Sequence, residues 1–354
     1  MKYVFQFFII LLTLISCNSK SNLRVDSIDI DYSNQSGIQL NGKYVTDIVG
    51  GEKLIVIDSL MMIITKNPDA QLLIYNTNTL DNIGKLCAKG RSRNEFMKAI
   101  TITYQAYHKN GHIVVPLIDY MDVVKEVDIT ESINQGRTIV ISNESCQNYA
   151  DGPTLFLDND IYKRFELIYN KYDGEEIKKV PCKFSIKQKG QKAKEIKIFR
   201  RLVQVEKASQ AQAPFIGMLL KQPSNNKLIY MFRQMDYILF FDIDQEKIFA
   251  VHKQGSRTFD DPLYYDKEYY FNGGCSTNNY AMLLYYHGED SMKESDRSRR
   301  KAEVVIFDWN GGFIKNIKLD RRLASIGYDE TNKKLFGLTF SEELYEFDLS
   351  TILP

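Results

Sequence analysis

"LFFDIDQEKIFAVHK", residues 239–253, is the stretch on which the fold turns. Three apolar residues run into Asp242, a short polar turn follows, and a second apolar-rich run returns. An Asp at the end of a strand starts a turn by accepting a hydrogen bond from a backbone N–H two residues on. The same phrase recurs as "LLIYN" ending at Asn76, "KEVD" at Asp128, "ELIYN" at Asn170, "VVIFD" at Asp308 and "YEFD" at Asp348, at steps of 40 to 72 residues. Upstream of several copies lie further β-like runs, such as "KLIVIDSLMMIIT", "KLIYMFR", "YAMLLYY" and "KLFGLTF". Each unit therefore predicts four antiparallel strands in about 40–50 residues, the size of one propeller blade. Six copies predict an all-β, six-bladed β-propeller. A pair of β-sandwiches or a solenoid is the alternative.

The last copy is followed by only six residues, so the sixth blade lacks an outer strand. The segment "NLRVDSIDIDY", 22–32, alternates apolar Val25, Ile28 and Ile30 with polar neighbours and is free to supply it. An N-terminal strand closing the ring removes an exposed sheet edge.

The chain opens "MKYVFQFFIILLTLISCNSKSN". Lys2 precedes an apolar run from Tyr3 to Ile15 that is too short to span a bilayer and has the length of a signal-peptide core. The run ends in Leu14-Ile15-Ser16-Cys17, which resembles a lipobox. That resemblance implies cleavage before Cys17, lipidation of its thiol and a membrane anchor. The expected organisation is a signal peptide over 1–16, a lipidated tether over 17–22 and the propeller over 23–354. "CNSKSNLR" carries no acidic run resembling a surface-export signal, so the expected address is the outer membrane, periplasmic side.

Lys+Arg 46 against Asp+Glu 45 gives a net charge of +1. Loss of Lys2 with the leader makes the chain neutral, so no global field draws it to nucleic acid. The basic run at 182–201 has only Phe184 and Phe199 interleaved and reads as a solvated hairpin. Apart from Cys17, the cysteines are Cys87, Cys146, Cys182 and Cys275, far apart and without a C-x-x-C pair. They are either buried thiols or up to two disulfides in one of three pairings. His108 and His112 flank "KNG" and read as turn residues.

"KLCAKGRSRNEF", 85–96, follows the outer strand of the first unit and predicts the crossing to the next blade, with Gly90 free to take a positive φ and Phe96 available to plug between blades. Gly90, Arg91, Glu95 and Phe96 resemble the G-R-G-P-x-E-F signature of the TolB-like six-bladed propeller lipoproteins of Bacteroidetes. Ser92 and Arg93 depart from it, standing where the family has Gly and Pro. The resemblance implies a lipid-anchored envelope propeller and no particular reaction. An echo, "HKQGSRTFDDP" at 252–262, carries Gly255, Arg257 and Phe259, and "KLDRRL" carries Arg321 and Arg322. Arg91, Arg93, Arg257 and Arg321 or Arg322 are the candidate ligand-binding residues. Converging at a channel mouth, they would hold carboxylates or sulfates of an acidic glycan or an envelope protein. The competing expectation is that they pair with Glu95, Asp260, Asp261 and Asp320.

The sequence carries no G-x-S-x-G, H-E-x-x-H, P-loop or G-x-G-x-x-G motif. The first functional expectation is a binding or scaffold module without a cofactor. The second is a carbohydrate-active propeller enzyme, a lyase or a calcium-dependent hydrolase, with Asp47, Glu95, Asn148 and Asn278 of the types that ligate calcium.

Overall fold

In the computed structural model, the described residues are 22–32, 37–97, 105–119, 123–145, 153–169, 182–199, 213–261, 268–290 and 301–353. Three strands come first and join later blades: β1 (Asp26–Ile30), β2 (Ile38–Leu40) and β3 (Lys43–Asp47). Blade one is β4 (Gly51–Ile57), β5 (Leu60–Thr65), β6 (Leu72–Asn76) and β7 (Asn82–Leu86). Blade two is β8 (Tyr107–Lys109), β9 (His112–Asp119), β10 (Val123–Asp128) and β11 (Val140–Ser145). Blade three is β12 (Thr154–Phe156), β13 (Lys163–Tyr169), β14 (Cys182–Gln188) and β15 (Lys194–Ile196). Blade four is β16 (Gly217–Lys221), β17 (Lys227–Phe232), β18 (Tyr237–Asp242) and β19 (Lys247–Lys253). Blade five is β20 (Glu268–Ser276), β21 (Tyr280–Asp290), β22 (Glu303–Asp308) and β23 (Phe313–Leu319). Blade six is β24 (Ser325–Asp329), β25 (Lys334–Leu338), β26 (Glu343–Asp348) and the returning β3. The chain is a six-bladed β-propeller.

The repeated phrase is the turn after the third or, in blade three, the second strand of each blade, and its carboxylate or amide works as expected. Asn76 Oδ1 accepts from Asn78 N at 2.8 Å, Asp308 Oδ1 from Asn310 N at 2.8 Å, and Asp348 Oδ1 from Ser350 N at 2.8 Å. At Asp242 the donor is Gln245 N, 3.0 Å away. Asp128 turns the device into a helix N-cap: its Oδ1 accepts from Glu131 N at 2.8 Å and opens α1 (Ile129–Gln135), which Gly136 ends at φ 63°. Asn170 lies outside the described residues.

Ring closure corrects one expectation. The outer strand of blade six is 43–47, with Leu344 opposite Thr46 and Tyr345 opposite Tyr44, and not 22–32. The reason is connectivity. An outer strand must cross directly to the next inner strand, and β3 lies immediately before β4, whereas 22–32 lies well upstream. The earlier segment is still a strand: β1 adds in parallel to the outer edge of blade four, Asp26 opposite Phe249 and Ile30 opposite Lys253. Next, β2 adds in parallel to blade five, Ile38 opposite Ile317. Before both, Leu23 bridges to Phe199 and Arg24 N donates to Ile198 O at 2.7 Å, beyond the outer strand of blade three. Residues 22–32 and 37–47 thus form a strap that touches four consecutive blades. It covers two sheet edges that a plain ring would leave open.

Aromatic side chains fill the seams. Between blades three and four, Phe165, Phe184, Tyr230 and Phe241 contact one another with centroids 4.9–5.6 Å apart. Phe259, from the crossing after blade four, is buried among Phe199, Phe215, Phe232 and Tyr237. Tyr32, at the end of the strap's first strand, is fully buried. Its hydroxyl donates to the buried Asp236, which also accepts from Tyr285 Oη at 2.7 Å, and its carbonyl accepts from Asn316 Nδ2 at 3.2 Å. One residue therefore ties blade four to blade five. Burial pushes the Asp236 carboxyl up, opposed by these two phenol hydrogen bonds.

Candidate functional site

The channel has two ends. At one, each outer strand crosses to the next inner strand; at the other, each inner strand turns back into its own blade. The crossing end holds "KLCAKGRSRNEF". Its backbone closes on itself, Phe96 N donating to Ala88 O at 3.0 Å and Gly90 N to Phe96 O at 3.1 Å. Glu95 folds back over the loop and accepts from Ser92 N at 2.9 Å, and that backbone N–H holds its carboxyl below the usual range. The carboxylate lies where a β-carbon on residue 90 would stand. Gly90 is therefore needed for close approach and not, as expected, for a positive φ, which belongs to Gly255 in the echo at φ 81°. Phe96 is fully buried, with Lys125 Nζ 4.6 Å above its ring; that lysine also donates to Glu95 O at 2.6 Å and pairs with Asp119 at 2.7 Å. The loop is a built plug between blades one and two.

The arginines of this end are held by different neighbours. Arg91 is exposed. Arg93 Nη2 donates to Val140 O at 3.4 Å. Beside Arg257 lies Asp261, whose carboxyl is held low chiefly by Thr258 N–H and hydroxyl, with Arg257 adding to the effect. Arg321 pairs in forked fashion with Asp320 and lies 3.6 Å from the Tyr345 ring centroid. Arg322 is buried and stacks over Tyr286 at 4.5 Å. None of the five lines the cavity at the opposite end of the channel.

At the opposite end a cavity of about 240 Å³ opens on the axis, and all six blades contribute to its lining. Its polar groups meet in pairs across alternate seams. Between blades one and two, His108 Nε2 lies 3.3 Å from Asp58 Oδ2, both half-exposed. Asp58 takes φ 51° in the two-residue turn after β4, which an Asp tolerates better than most residues. Between blades three and four, Lys221 Nζ donates to Asn159 Oδ1 at 3.3 Å. Asp158 and Asn159 both have φ 54°, at the turn after β12. Two successive non-glycine residues in the left-handed region cost on the order of 1 kcal/mol each. Asn226 offsets the cost from both sides, donating to Asp158 Oδ1 and accepting from Asp158 N at 3.0 Å. Between blades five and six, Glu330 Oε1 accepts from Asn279 Nδ2 at 2.6 Å and from Thr277 Oγ1 at 3.3 Å.

Lys221 stands apart within this set. It is 5% exposed, at the end of an inner strand. Besides Asn159, its ammonium reaches, among the described residues, the carbonyls of Gln222 at 3.2 Å and Pro223 at 3.4 Å. Burial lowers its pKa to about 8, against the pull of Asp158 and Asp244. Asn278, a calcium-ligand type, also lines the cavity, while Asp47 is in the closing strand and Glu95 in the crossing loop. Among the described residues no three His, Cys, Asp or Glu side chains group to hold a metal. Cys87, Cys182 and Cys275 are buried free thiols, pushed up by desolvation, and Cys275 lines the cavity. Cys17, Cys146, Asn148 and the leader lie outside the described residues.

Sequence reading missed Asp58, His108, Lys221 and Glu330. The available signal was positional. "VIDSL", "LKQPSNN", "CSTNN" and "YDETNKK" are each an inner strand ending in a polar turn, the same place in successive blades.

No family model and no curated protein matches the sequence. Among solved structures, the chain resembles a member of the DUF4221 family from Bacteroides vulgatus. The TM-score is 0.51 at 10% identity, over 88% of this chain and 94% of that one. A protein from Bacteroides fragilis described as a candidate exported protein matches with a TM-score of 0.46 at 10% identity, over 91% and 98%. The β-propeller domain of Cps50 (Swd1) from Myceliophteria thermophila gives 0.43 at 9% identity, over 87% and 100%. At these identities the likeness is one of fold. Among the described residues, no helix is long and apolar enough to cross a membrane.

Proposed function

We propose that this chain is a lipid-anchored envelope propeller of the TolB-like kind. It acts as a binding module, and its ligand sits in the cavity at the turn end of the channel. The observation that carries the reading is that cavity: about 240 Å³, lined from all six blades, with a buried ammonium among neutral oxygens. Concave sites with a few convergent polar groups are where small ligands bind. The lipobox at Cys17 and the "KGRSRNEF" loop support the envelope address on the periplasmic side of the outer membrane. Arg91, Arg93 and Arg257, at the crossing end, are where an envelope protein or an acidic glycan would dock.

Two measurements test this. Metabolic labelling with a fatty acid should mark the wild type and leave Cys17→Ala unmarked; equal labelling overturns the anchor. A thermal-shift screen of small polar metabolites should give hits that Lys221→Met abolishes. Hits indifferent to that change would move the site elsewhere, and a screen without hits would end the small-ligand reading.

A further inference from the structure

The cavity is electrically divided. Its cationic pole is Lys221 on blade four, beside Asn159 on blade three. Its anionic pole is Asp58 on blade one and Glu330 on blade six. In a ring of six, blade one faces blade four and blade six faces blade three, so the two poles stand across the axis from each other. Among the described residues, neither Lys221 nor Glu330 has an ion-pair partner within bonding distance. The two acids that pull on Lys221 are occupied: Lys163 and Asn226 hold the two oxygens of Asp158, and Asn226 also donates to Asp244 Oδ1 at 3.2 Å. The ammonium is left with three neutral oxygens at 3.2–3.4 Å, long for a charged donor. Across the axis, Glu330 accepts only from the neutral Thr277 and Asn279, and no described cation lies within ion-pair distance of it. Among the described residues Asp58 pairs with His108, at 3.3 Å.

A buried cation without an anion is costly, and the cost is recovered when a ligand supplies the anion. A phosphate or a dicarboxylate would bring its surplus charge toward Asp58 and Glu330. A plain amine would meet Lys221. The complementary ligand carries one charge of each sign.

We propose that the channel mouth binds a small zwitterion, an amino acid or dipeptide, with its carboxylate on Lys221 and its ammonium between Glu330 and Asp58. The neutral groups of Asn159, Thr277 and Asn278 complete the wall, and a volume of about 240 Å³ limits the ligand to roughly one or two small residues. The inference rests on the cavity being the binding site, as proposed above.

The test is calorimetric titration of the purified full chain with each of the twenty amino acids and with alanyl-alanine. The tightest binder is then repeated as its N-acetyl form, which lacks the ammonium, and as its methyl ester, which lacks the carboxylate. Each modified form should bind at least tenfold more weakly. Lys221→Met should abolish binding, Lys221→Arg should retain part of it, and Glu330→Gln should bind the N-acetyl form no worse than the parent amino acid. Both loss variants are checked for an intact melting transition, and Lys221→Arg keeps the test decisive if Lys221→Met misfolds. An N-acetyl form that binds wild type as well as its parent overturns the zwitterion in favour of a plain anion. An ester that binds equally overturns it in favour of a cation. If no zwitterion binds but an uncharged sugar does, sensitive to Lys221, this inference falls and the binding-module reading stands. If neither class binds, both fall.

Discussion

Replacing Lys221 by Met should make the protein more stable. The side chain is 5% exposed and ends an inner strand, so Met fills most of its volume without a charge to bury. Burial lowers the lysine from 10.5 to about 8. At about 1.4 kcal/mol per unit, the fold bears roughly 3 kcal/mol for holding this proton at neutral pH. Loss of three long hydrogen bonds to Asn159, Gln222 and Pro223 returns about 1 kcal/mol of that. The net gain is about 1–3 kcal/mol, a rise in melting temperature of roughly 1–4 °C for a chain this size.

The pH dependence gives the sharper reading. Below about 8, folded and unfolded chains both carry the proton, and the whole desolvation cost is present. Between about 8 and 10.5 the unfolded chain binds a proton that the fold has released, so stability from this group rises with pH. Lys221→Met has no such slope. Urea unfolding of both proteins at pH 7, 8.5 and 10 should show the variant's advantage shrinking toward zero, other titrations cancelling in the difference. A variant less stable than wild type by more than about 1 kcal/mol at pH 7, or a difference unchanged to pH 10, would refute the reasoning.

Three further outcomes follow from the fold. Gly90→Ala should displace the Glu95 carboxylate from Ser92 N and cost about 1–2 kcal/mol in denaturant unfolding; Glu95→Ala should cost less, and the two together less than their sum. Tyr32→Phe removes one of two phenol donors from buried Asp236 and should cost about 1–3 kcal/mol in the same assay, where a loss under about 0.5 kcal/mol would mean the strap carries no load there. Deleting 22–32 should lower the melting temperature but leave a cooperative propeller, whereas deletion through 47 removes the outer strand of blade six and should abolish the transition; equal effects of the two deletions would count against the assigned closure.

The repeat was legible because its signal is local. An Asp or Asn that ends a strand binds backbone within a few residues, so the device at Asn76, Asp242, Asp308 and Asp348 is complete inside one short phrase. The closing strand was harder, because 22–32 alternates while 43–47 does not, and pattern alone does not name a partner. Chain connectivity decides it, and connectivity needs the ring. The "KGRSRNEF" loop was legible as a crossing, yet the reason for its glycine was hidden in where the Glu95 side chain returns. The cavity was least legible. Asp58, His108, Lys221 and Glu330 come from four blades, each as a single residue, and no spacing links them. His108 even stands in the polar turn "HKNGH", where solvation is the ordinary reading.

The strap also ties the start of the described chain to one end of the channel. Asn22 is bonded to the crossing after blade four, its N donating to Asp260 Oδ1 at 2.6 Å and its Nδ2 to Phe259 O at 3.0 Å. The chain therefore joins the propeller at the crossing end. Four residues lie between Cys17 and Asn22, five Cα steps, a reach of no more than about 18 Å even when fully extended. Lipidation of Cys17, as proposed, would keep the crossing end near the membrane surface, where Arg91 and Arg257 would meet a membrane-bound envelope protein or glycan, and turn the cavity away from the bilayer. A fluorophore at position 91 on the vesicle-bound protein should then be quenched by a headgroup-linked quencher, and one at position 331, beside Glu330, should not; the reverse pattern would place the cavity at the membrane. With the cavity outward, the two ends do not compete. On that orientation the crossing end would meet the anchor surface, and small ligands would reach Lys221 from the aqueous side.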